Sequence, residues 1–389
     1  MINQPLSTNK MSLYRPVKIG SLELEGNLFL APVAGYSDRV FRSICVEHGA
    51  DFTFTELISA EALYRNPGRY GLGAAVSGNG AAAGGRALQA AVPTAVNLVG
   101  RAANERRYAI QLFGADPAAI YKAAALLSPL RPDAVDINSG CPVPKVVKNG
   151  AGSALMKDPA NLGRVVEAAV RASEERLGNV PVTIKMRSGW DFNSINYAEC
   201  ARIAVEAGAA MVSLHPRTRS QDYGGKSDWS LIADLVTRLP VPVTGSGDLY
   251  TPEDAEHMLR ETGCAAVMFA RGAMGNPFIF SATRSLLAGG GSFPAGTPAG
   301  TPAGVQWEPV PLSERIAVAL RHLELLAAEI GEHGACLEMR KQFCAYTRGA
   351  AGGPANHGLR ALRNALVHAE TIEDYKRLTS APAIPYANV

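Results

Sequence analysis

Short apolar runs alternate with longer amphipathic segments along most of this chain. Eight runs rich in branched and aromatic residues predict β-strands, at 28–32, 52–56, 108–113, 134–138, 182–186, 211–215, 241–245 and 265–270. Segments of helical period lie between them, at 38–48, 117–127, 159–175, 195–207, 229–237 and 252–260. Strands that alternate with helices in this way form a parallel sheet.

The number of strands favours a closed barrel over an open sheet. Eight parallel strands over roughly 250 residues are typical of a TIM (β/α)8 barrel. An open dinucleotide-binding sheet would carry a GxGxxG turn after its first strand, and this chain has none there. A second helical series follows, at 311–330, 337–348, 356–370 and 372–378, and predicts a smaller all-α domain.

Two stretches rich in Gly, Ala and Pro interrupt this pattern, 71–104 and 288–308. Such segments can bury little apolar surface to offset the entropy of ordering them. We therefore divide the chain into four parts, which are a disordered N-terminus (1–11), a barrel domain with an insertion at 71–104 (12–287), a linker (288–308) and a helical domain (309–389).

The composition of the chain serves mainly to exclude some classes of protein. The chain is 47% hydrophobic and 19% charged, with a formal net charge of +3, which is typical of a globular protein and does not by itself indicate a nucleic-acid partner. The six cysteines form no CxxC pair and no Cys/His cluster, so we expect no metal site. The N-terminus lacks the apolar core of a secretory signal, and no membrane span is apparent. We therefore expect a cytoplasmic protein, whose scattered thiols suit a reducing compartment.

The predicted carboxyl ends of the strands carry polar residues, and these ends form the functional face of a TIM barrel. The side chains there are Gln111, Asn138, Lys185, Arg187, His215 and Arg217. Gln111 has the donor and acceptor needed to bind an imide, and Lys185 suits an electron-rich cofactor ring. A lone Gln on a strand is more often structural, and the alternative for Lys185 is a strand-end lysine whose amine lies in solvent. The glycine-rich ends 245–248 and 270–272 suit a phosphate, although plain tight turns are an equal alternative.

The sharpest local signal is the sequence NSGCP at 138–142. It places the thiol of Cys141 on a loop shaped by Gly and Pro at the functional face, where a cysteine acts as a nucleophile or a general acid. Three other cysteines, Cys45, Cys200 and Cys264, are predicted to be packing residues.

Several motifs together resemble one enzyme family. They are APVAGYSDRVFR (31–42), QLFG (111–114), DINSGCPVPKVVKNGAGSALMKDP (136–159), KMRSGW (185–190), HPRTRSQDYGGKSDW (215–229), GSGDLYTPEDA (245–255) and ARGAMGNPFIF (270–280). In this order the chain resembles the tRNA-dihydrouridine synthases, and it is most similar to their B-type bacterial branch. MRKQFCAYTRG (339–349) is similar to their C-terminal helical domain.

The resemblance implies a flavin reaction on tRNA. It implies that FMN is bound by residues from all parts of the barrel mouth: Pro32, Val33, Ala34, Gln111, Lys185, His215, Ser246, Gly247, Asp248, Ala270 and Arg271. Reduced flavin would deliver hydride to C6 of a uridine, Cys141 would protonate C5, and NADPH would reduce the flavin again. Asn138 and Arg187 would hold the uracil. Ser246 and Val33 stand where the family usually has Asn and Met, and both departures leave the FMN assignment intact.

A basic segment supports a tRNA partner. Residues 339–369 contain no Asp or Glu but carry Arg340, Lys341, Arg348, Arg360 and Arg363, interleaved with Phe343, Tyr346 and two histidines. Such a patch can bind phosphates and stack on bases, and Arg217, with Arg219 and Lys226, would extend it at the barrel mouth.

Two alternatives remain open. One is a flavin barrel for a free pyrimidine, such as a dihydroorotate or dihydropyrimidine dehydrogenase relative. The other is a non-catalytic RNA-binding barrel. We expect a monomer that associates with neither metal nor membrane.

Overall fold

A computed structural model describes residues 12–72, 93–289, 310–348 and 357–380. The strands are β1 (Val17–Ile19), β2 (Leu22–Leu24), β3 (Leu28–Leu30), β4 (Phe52–Phe54), β5 (Ile58–Ser59), β6 (Tyr108–Phe113), β7 (Ala134–Ser139), β8 (Val182–Arg187), β9 (Met211–His215), β10 (Val243–Ser246) and β11 (Ala266–Phe269). The helices are α1 (Arg39–Glu47), α2 (Ala60–Arg65), α3 (Pro93–Val99), α4 (Pro117–Ala125), α5 (Pro144–Val147), α6 (Pro159–Arg176), α7 (Tyr197–Glu206), α8 (Ser230–Arg238), α9 (Pro252–Thr262), α10 (Ile279–Leu287), α11 (Leu312–Ile330), α12 (Glu332–Tyr346), α13 (His357–Leu366) and α14 (Ile372–Thr379).

Eight strands form a closed parallel barrel in the order β3, β4, β6, β7, β8, β9, β10 and β11, and β11 pairs with β3 to complete it. The short β5 continues along β6 beyond the end of β4. This confirms the predicted TIM barrel and all eight predicted strands, with small differences at their ends. The six helices predicted between the strands are also present, whereas α2, α3, α5 and α10 are additional helices that were not predicted.

Alternation along each strand sorts side chains between two environments, because successive residues point to opposite faces. One set, including Ile110, Val135 and Val212, packs between the barrel and the surrounding helices. The other set fills the barrel. Its lowest layer is apolar and contains Phe29, Phe52, Ala109, Ala134, Met211 and Ala266. Above it lies a buried polar layer with Gln111, Asp136, Thr183, Ser213 and Thr244.

A β-hairpin closes the amino end of the barrel. Strands β1 and β2 pair antiparallel, and their inward side chains join the lowest apolar layer. Ile19 is completely buried there. This hairpin is not among the predicted elements, although VKI and LEL show the alternation of half-buried strands on either side of a Gly-Ser turn.

The prediction that the insertion 71–104 buries little surface is wrong. Its last part forms α3, in which Ala95 and Val99 belong to the main core and Asn97 is 3% exposed. Apolar residues at helical spacing in PTAVNLV account for this packing. Residues 73–92 of the insertion lie outside the described residues, as do the N-terminus 1–11 and residues 290–308 of the linker.

The predicted helical series is confirmed as α11–α14. It packs on the loops that follow β3: Gln342 Nε2 donates to the carbonyl oxygen of Tyr36 at 3.3 Å, and His322 Nε2 lies 3.5 Å from Asp38 Oδ2. The domain boundaries themselves stay predictions. Within the described ranges, no helix is long and apolar enough to cross a bilayer.

The hairpin provides a first prediction. Changing Ile19 to Ala should lower the free energy of unfolding by about 2–5 kcal/mol, because it leaves a cavity in a sealed apolar layer. Urea denaturation followed by circular dichroism measures this. The neighbouring change Lys18→Ala is the control, since that side chain is exposed and should alter stability by less than about 0.5 kcal/mol. A small effect of Ile19→Ala would mean that the hairpin is not part of the barrel core.

Candidate active site

A cavity of about 650 Å³ opens at the carboxyl ends of the barrel strands. This volume is within the range of small-molecule and cofactor sites. Most of the predicted site residues line it: Pro32, Val33, Ala34, Gln111, Asn138, Cys141, Lys185, Arg187, His215, Ser246, Gly247, Asp248, Ala270 and Arg271. The alternation that fills the barrel also aims these side chains inward, so one pattern in the sequence places most of the site.

The floor of the cavity is a chain of buried hydrogen bonds centred on Asp136. Thr183 Oγ1 donates to Asp136 Oδ1 at 2.5 Å, and Gln111 Nε2 donates to Asp136 Oδ2 at 2.7 Å. Asn138 Nδ2 in turn donates to Gln111 Oε1 at 2.8 Å. Burial raises the pKa of Asp136 to about 6, and the two donors and nearby Lys185 oppose that rise. Because each amide nitrogen has two hydrogens, Gln111 and Asn138 each retain one N–H for a ligand.

This chain of hydrogen bonds extends to the loop that carries Cys141. Asn138 Oδ1 accepts from the backbone N–H groups of Gly140 and Cys141, at 3.2 and 2.9 Å. The carbonyl oxygen of Cys141 accepts from the backbone N–H and the hydroxyl of Ser153, at 3.1 and 3.0 Å. Gly152 allows that approach, because it has a φ of 60° and a Cβ there would lie 2.7 Å from the same oxygen. The NSGCP and GAGSALM motifs therefore form one unit.

The thiol of Cys141 is partly buried in this loop, and burial raises its pKa. The backbone N–H of Val143 and the cations of Arg187 and Lys185 act in the opposite direction. The thiol is therefore protonated at neutral pH and can donate a proton.

Lys185 lines the cavity on β8, directly beside Asn138 on β7. Burial and the charge of Arg187 lower its pKa to about 8, and no hydrogen bond to a described residue offsets the burial. A buried ammonium without a hydrogen-bond partner in the described residues is a ready contact for an anionic or electron-rich ligand.

The next part of the cavity wall is formed by His215, which lies beside Arg187 on the neighbouring strand, and by the loop after β10. Burial and the surrounding cations hold the pKa of His215 well below its usual value, so the imidazole is neutral. Arg217 Nη1 lies 3.2 Å from His215 Nε2. Gly247 has a φ of 110°, and a Cβ there would lie 2.7 Å from His215 Cδ2. This close approach leaves room only for glycine.

Asp248 links the arginines of this wall. Its carboxylate accepts from Arg217 Nη2 at 2.7 Å, from Arg271 Nη2 at 3.2 Å and from the backbone N–H of Ser227 at 2.9 Å. Arg271 also lies over the rings of Tyr223 and Tyr250, 4.7 and 5.2 Å from their centroids. The guanidinium is thereby held at the rim of the cavity.

Three predicted substrate residues lie away from the cavity. Arg217 is 2% exposed, and its donors bind Asp248 and the carbonyl oxygens of Gly224 and Gly225. Lys341 pairs with Glu338 and faces a smaller cavity. Arg340 does not line the main cavity either. Their substrate contacts therefore stay predictions.

The suggested base stacking by Phe343 and Tyr346 is wrong, because both rings are completely buried in the core. In contrast, the three predicted packing cysteines, Cys45, Cys200 and Cys264, are buried as expected.

Sequence reasoning missed Asp136 and the two tyrosines at the rim. Asp136 stands two residues before Asn138 on an inward-facing strand position, so alternation could have identified it. Tyr223 and Tyr250 belong to loops, where no periodic signal exists. Among the described residues, no cluster of His, Cys, Asp and Glu could hold a metal ion.

These features define a (β/α)8-barrel enzyme with a cation-lined cavity and a protonated thiol at its mouth. A family model described as dihydrouridine synthase (Dus) matches residues 87–381. A probable tRNA-dihydrouridine synthase of Treponema pallidum is 44% identical, over 88% of this chain and 90% of that relative. The tRNA-dihydrouridine synthase B of Pasteurella multocida is 31% identical, over 87% of this chain and 89% of that relative.

The chain therefore belongs to the dihydrouridine synthase family, whose members are flavin-dependent oxidoreductases. This confirms the resemblance found in the sequence. A solved complex of 2-naphthoyl-CoA reductase has a TM-score of 0.51 at 11% identity, over 72% of this chain and 52% of the reductase. That likeness concerns the fold alone.

The hydrogen-bonded floor provides a second prediction. Changing Asp136 to Asn should lower the free energy of unfolding by about 1 kcal/mol, because the amide keeps one acceptor for Gln111, its N–H is paired only if the Thr183 hydroxyl reverses to accept, and the attraction of Lys185 for the carboxylate is lost. Urea denaturation measures this. The same chemical change at Asp158, the exposed N-cap of α6, is the matched control, since Asn caps helices as well as Asp. Equal stability of the two variants would contradict the proposed role of Asp136 as the shared acceptor.

Proposed function

We propose that this protein reduces the C5–C6 double bond of specific uridines in tRNA to 5,6-dihydrouridine, using FMN as its flavin and NADPH as the reductant. The observation that carries the proposal is the position of the Cys141 thiol, on a hydrogen-bonded loop at the mouth of a cation-lined cavity. The names of the Treponema and Pasteurella relatives support the same reaction.

The residues of the cavity fit FMN. The loops at 246–248 and 270–271 would hold the phosphate, since Arg271 lies there and the backbone N–H of Gly247 donates to no described residue. Gln111 would donate its remaining N–H to the flavin ring, and Lys185 would contact the electron-rich side of that ring. When bound, the flavin supplies the hydride that adds to C6 of the uracil.

Cys141 would supply the other hydrogen, as a proton to C5. Hydride addition places enolate charge on the ring, and a nearby acid must quench it. Burial keeps the thiol protonated before the reaction, whereas the cations of Arg187 and Lys185 and the backbone N–H of Val143 stabilise the thiolate that remains afterwards. The same surroundings therefore serve both states of the residue.

The uracil would enter as a flipped base, because its ring atoms are inaccessible in a stacked nucleotide. Asn138 would contact it through its remaining amide N–H. Arg187 would contact it through Nη2, since Nε and Nη1 already donate to the carbonyl oxygens of Gly140, Thr218 and Asp222.

Changing Cys141 to Ala should separate the two halves of the reaction. NADPH should still reduce the bound flavin, because that step involves no thiol, but reoxidation by tRNA should slow at least about a hundredfold. Anaerobic stopped-flow absorbance follows both steps.

Cys141→Ser should restore little, since a hydroxyl is a far weaker acid than a thiol. Cys344→Ala, a partly buried cysteine outside the cavity, is the control. Dihydrouridine formed at the wild-type rate by Cys141→Ala would place the proton donor elsewhere, and faster turnover of free uracil than of tRNA would favour a free-pyrimidine enzyme.

The low pKa of Lys185 predicts how FMN affinity depends on pH. The amine is protonated below about pH 8 and neutral above it, so its attraction for the electron-rich flavin ring falls as pH rises. The Kd of the flavin-free protein for FMN should rise about tenfold between pH 7 and pH 9. Lys185→Gln should bind more weakly at pH 7 and show no such rise, whereas Lys18→Gln should behave like wild type. Quenching of FMN fluorescence measures both, and a pH-independent wild type would rule out this role for Lys185.

A further inference from the structure

Exposed apolar side chains concentrate on the face that carries the cavity. Seven large hydrophobic residues are exposed among those described, and five belong to this face: Val143, Phe192, Ile195, Tyr223 and Tyr250. Phe192 is the most exposed of the seven, at 68%. Single exposed apolar residues are ordinary, but a cluster around a binding cavity marks an interaction surface.

Phe192 stands at the tip of a braced loop that directly follows β8. Gly189 and Ile195 form a β-bridge across the base of the loop. At the tip, Asp191 Oδ1 accepts from the backbone N–H of Asn193 at 3.0 Å and from Ser194 Oγ at 2.7 Å. The carboxylate of Asp191 is thus engaged within its own turn. The ring of Phe192 is therefore presented to solvent by a fixed loop.

The same loop is joined to the cavity wall. The backbone N–H groups of Arg219 and Ser220 donate to the carbonyl oxygens of Gly189 and Trp190, both at 2.9 Å. Arg219 and Ser220 themselves line the cavity. Backbone hydrogen bonds therefore connect the loop of Phe192 directly to two residues of the cavity wall, where a target base would enter.

Unpaired positive charge surrounds this loop. Lys157 and Arg219 lie over the ring of Trp190, 4.6 and 4.7 Å from its centroid. Neither cation has a carboxylate partner within 4.0 Å among the described residues, and the same holds for Lys145, Lys148 and Lys226 on this face. Exposed arginines elsewhere, such as Arg202 and Arg260, do pair with a glutamate.

We propose that Phe192 stacks on a base of the tRNA next to the target uridine, and that Lys157 and Arg219 contact the phosphates beside it. The inference rests on the proposed function and extends it to a second contact site. Proteins that bind unstacked nucleic acid commonly stack bases on aromatic rings and contact the phosphates with neighbouring cations. The core of a protein–protein interface would instead be depleted of lysine.

Binding of an unmodified tRNA transcript to the FMN-loaded protein tests this proposal, with Kd measured by fluorescence anisotropy at several salt concentrations. Phe192→Ala should raise Kd at least about fivefold, the lower limit for losing one stacked base. Phe192→Leu should be equally weak, because it keeps apolar bulk without a π face, whereas Phe192→Tyr should bind like wild type. The slope of log Kd against log salt should not change in these variants, since no phosphate contact is lost.

Lys157→Ala should weaken binding and reduce that salt slope by about one, whereas Lys18→Ala, at the far end of the barrel, should change neither. Wild-type affinity in Phe192→Ala would overturn the stacking role while leaving the proposed function intact. Rescue by Leu would indicate an apolar protein contact and would also overturn it. A wild-type protein that binds no tRNA would refute the proposed function itself, and the inference with it.

Discussion

A single buried carboxylate, that of Asp136, connects the barrel to its chemistry. It accepts hydrogen bonds from Thr183 on β8 and Gln111 on β6, and through Gln111 it fixes the amide of Asn138. Asn138 then fixes the backbone of Cys141. An unpaired carboxylate at this depth would be strongly destabilising, so the donors are obligatory and their orientations are determined. The position of the thiol is thus determined by hydrogen bonds to side chains on the barrel strands, and not by the conformation of its loop alone.

Much of the fold and site could be predicted from sequence because the strands of a parallel barrel are apolar runs whose carboxyl ends form the functional face. The apolar runs identified eight strands, and the polar residues at their ends included Gln111, Lys185 and His215, which line the cavity. This pattern could not show which polar groups bind each other. Arg217 follows His215 by two residues, which is the spacing of side chains on the same face of a strand. Its guanidinium is nevertheless buried, and it donates to Asp248 and to two backbone carbonyl oxygens. Pairing of this kind depends on loop conformations that carry no periodic signal.

Low complexity was also a poor guide to burial. The composition of 71–104 predicted a segment with little packing, but α3 contributes Val99 to the core, and Glu105 just beyond it pairs with the fully buried Arg42. Conversely, the aromatic residues of the basic segment looked available for stacking, whereas Phe343 packs on Tyr375 at 4.5 Å between ring centroids. When apolar and polar residues are not clearly separated on a helix, its sequence does not show which face is buried.

The closed amino end of the barrel limits how ligands reach the cavity. Because the hairpin of β1 and β2 seals that end, a ligand must arrive from the face that carries Cys141 and Phe192. In the proposed reaction the nicotinamide donor and the RNA would have to use this same opening in turn. Steady-state kinetics would then follow a substituted-enzyme scheme, with parallel lines in double-reciprocal plots and mutual competition between the two substrates at high concentration.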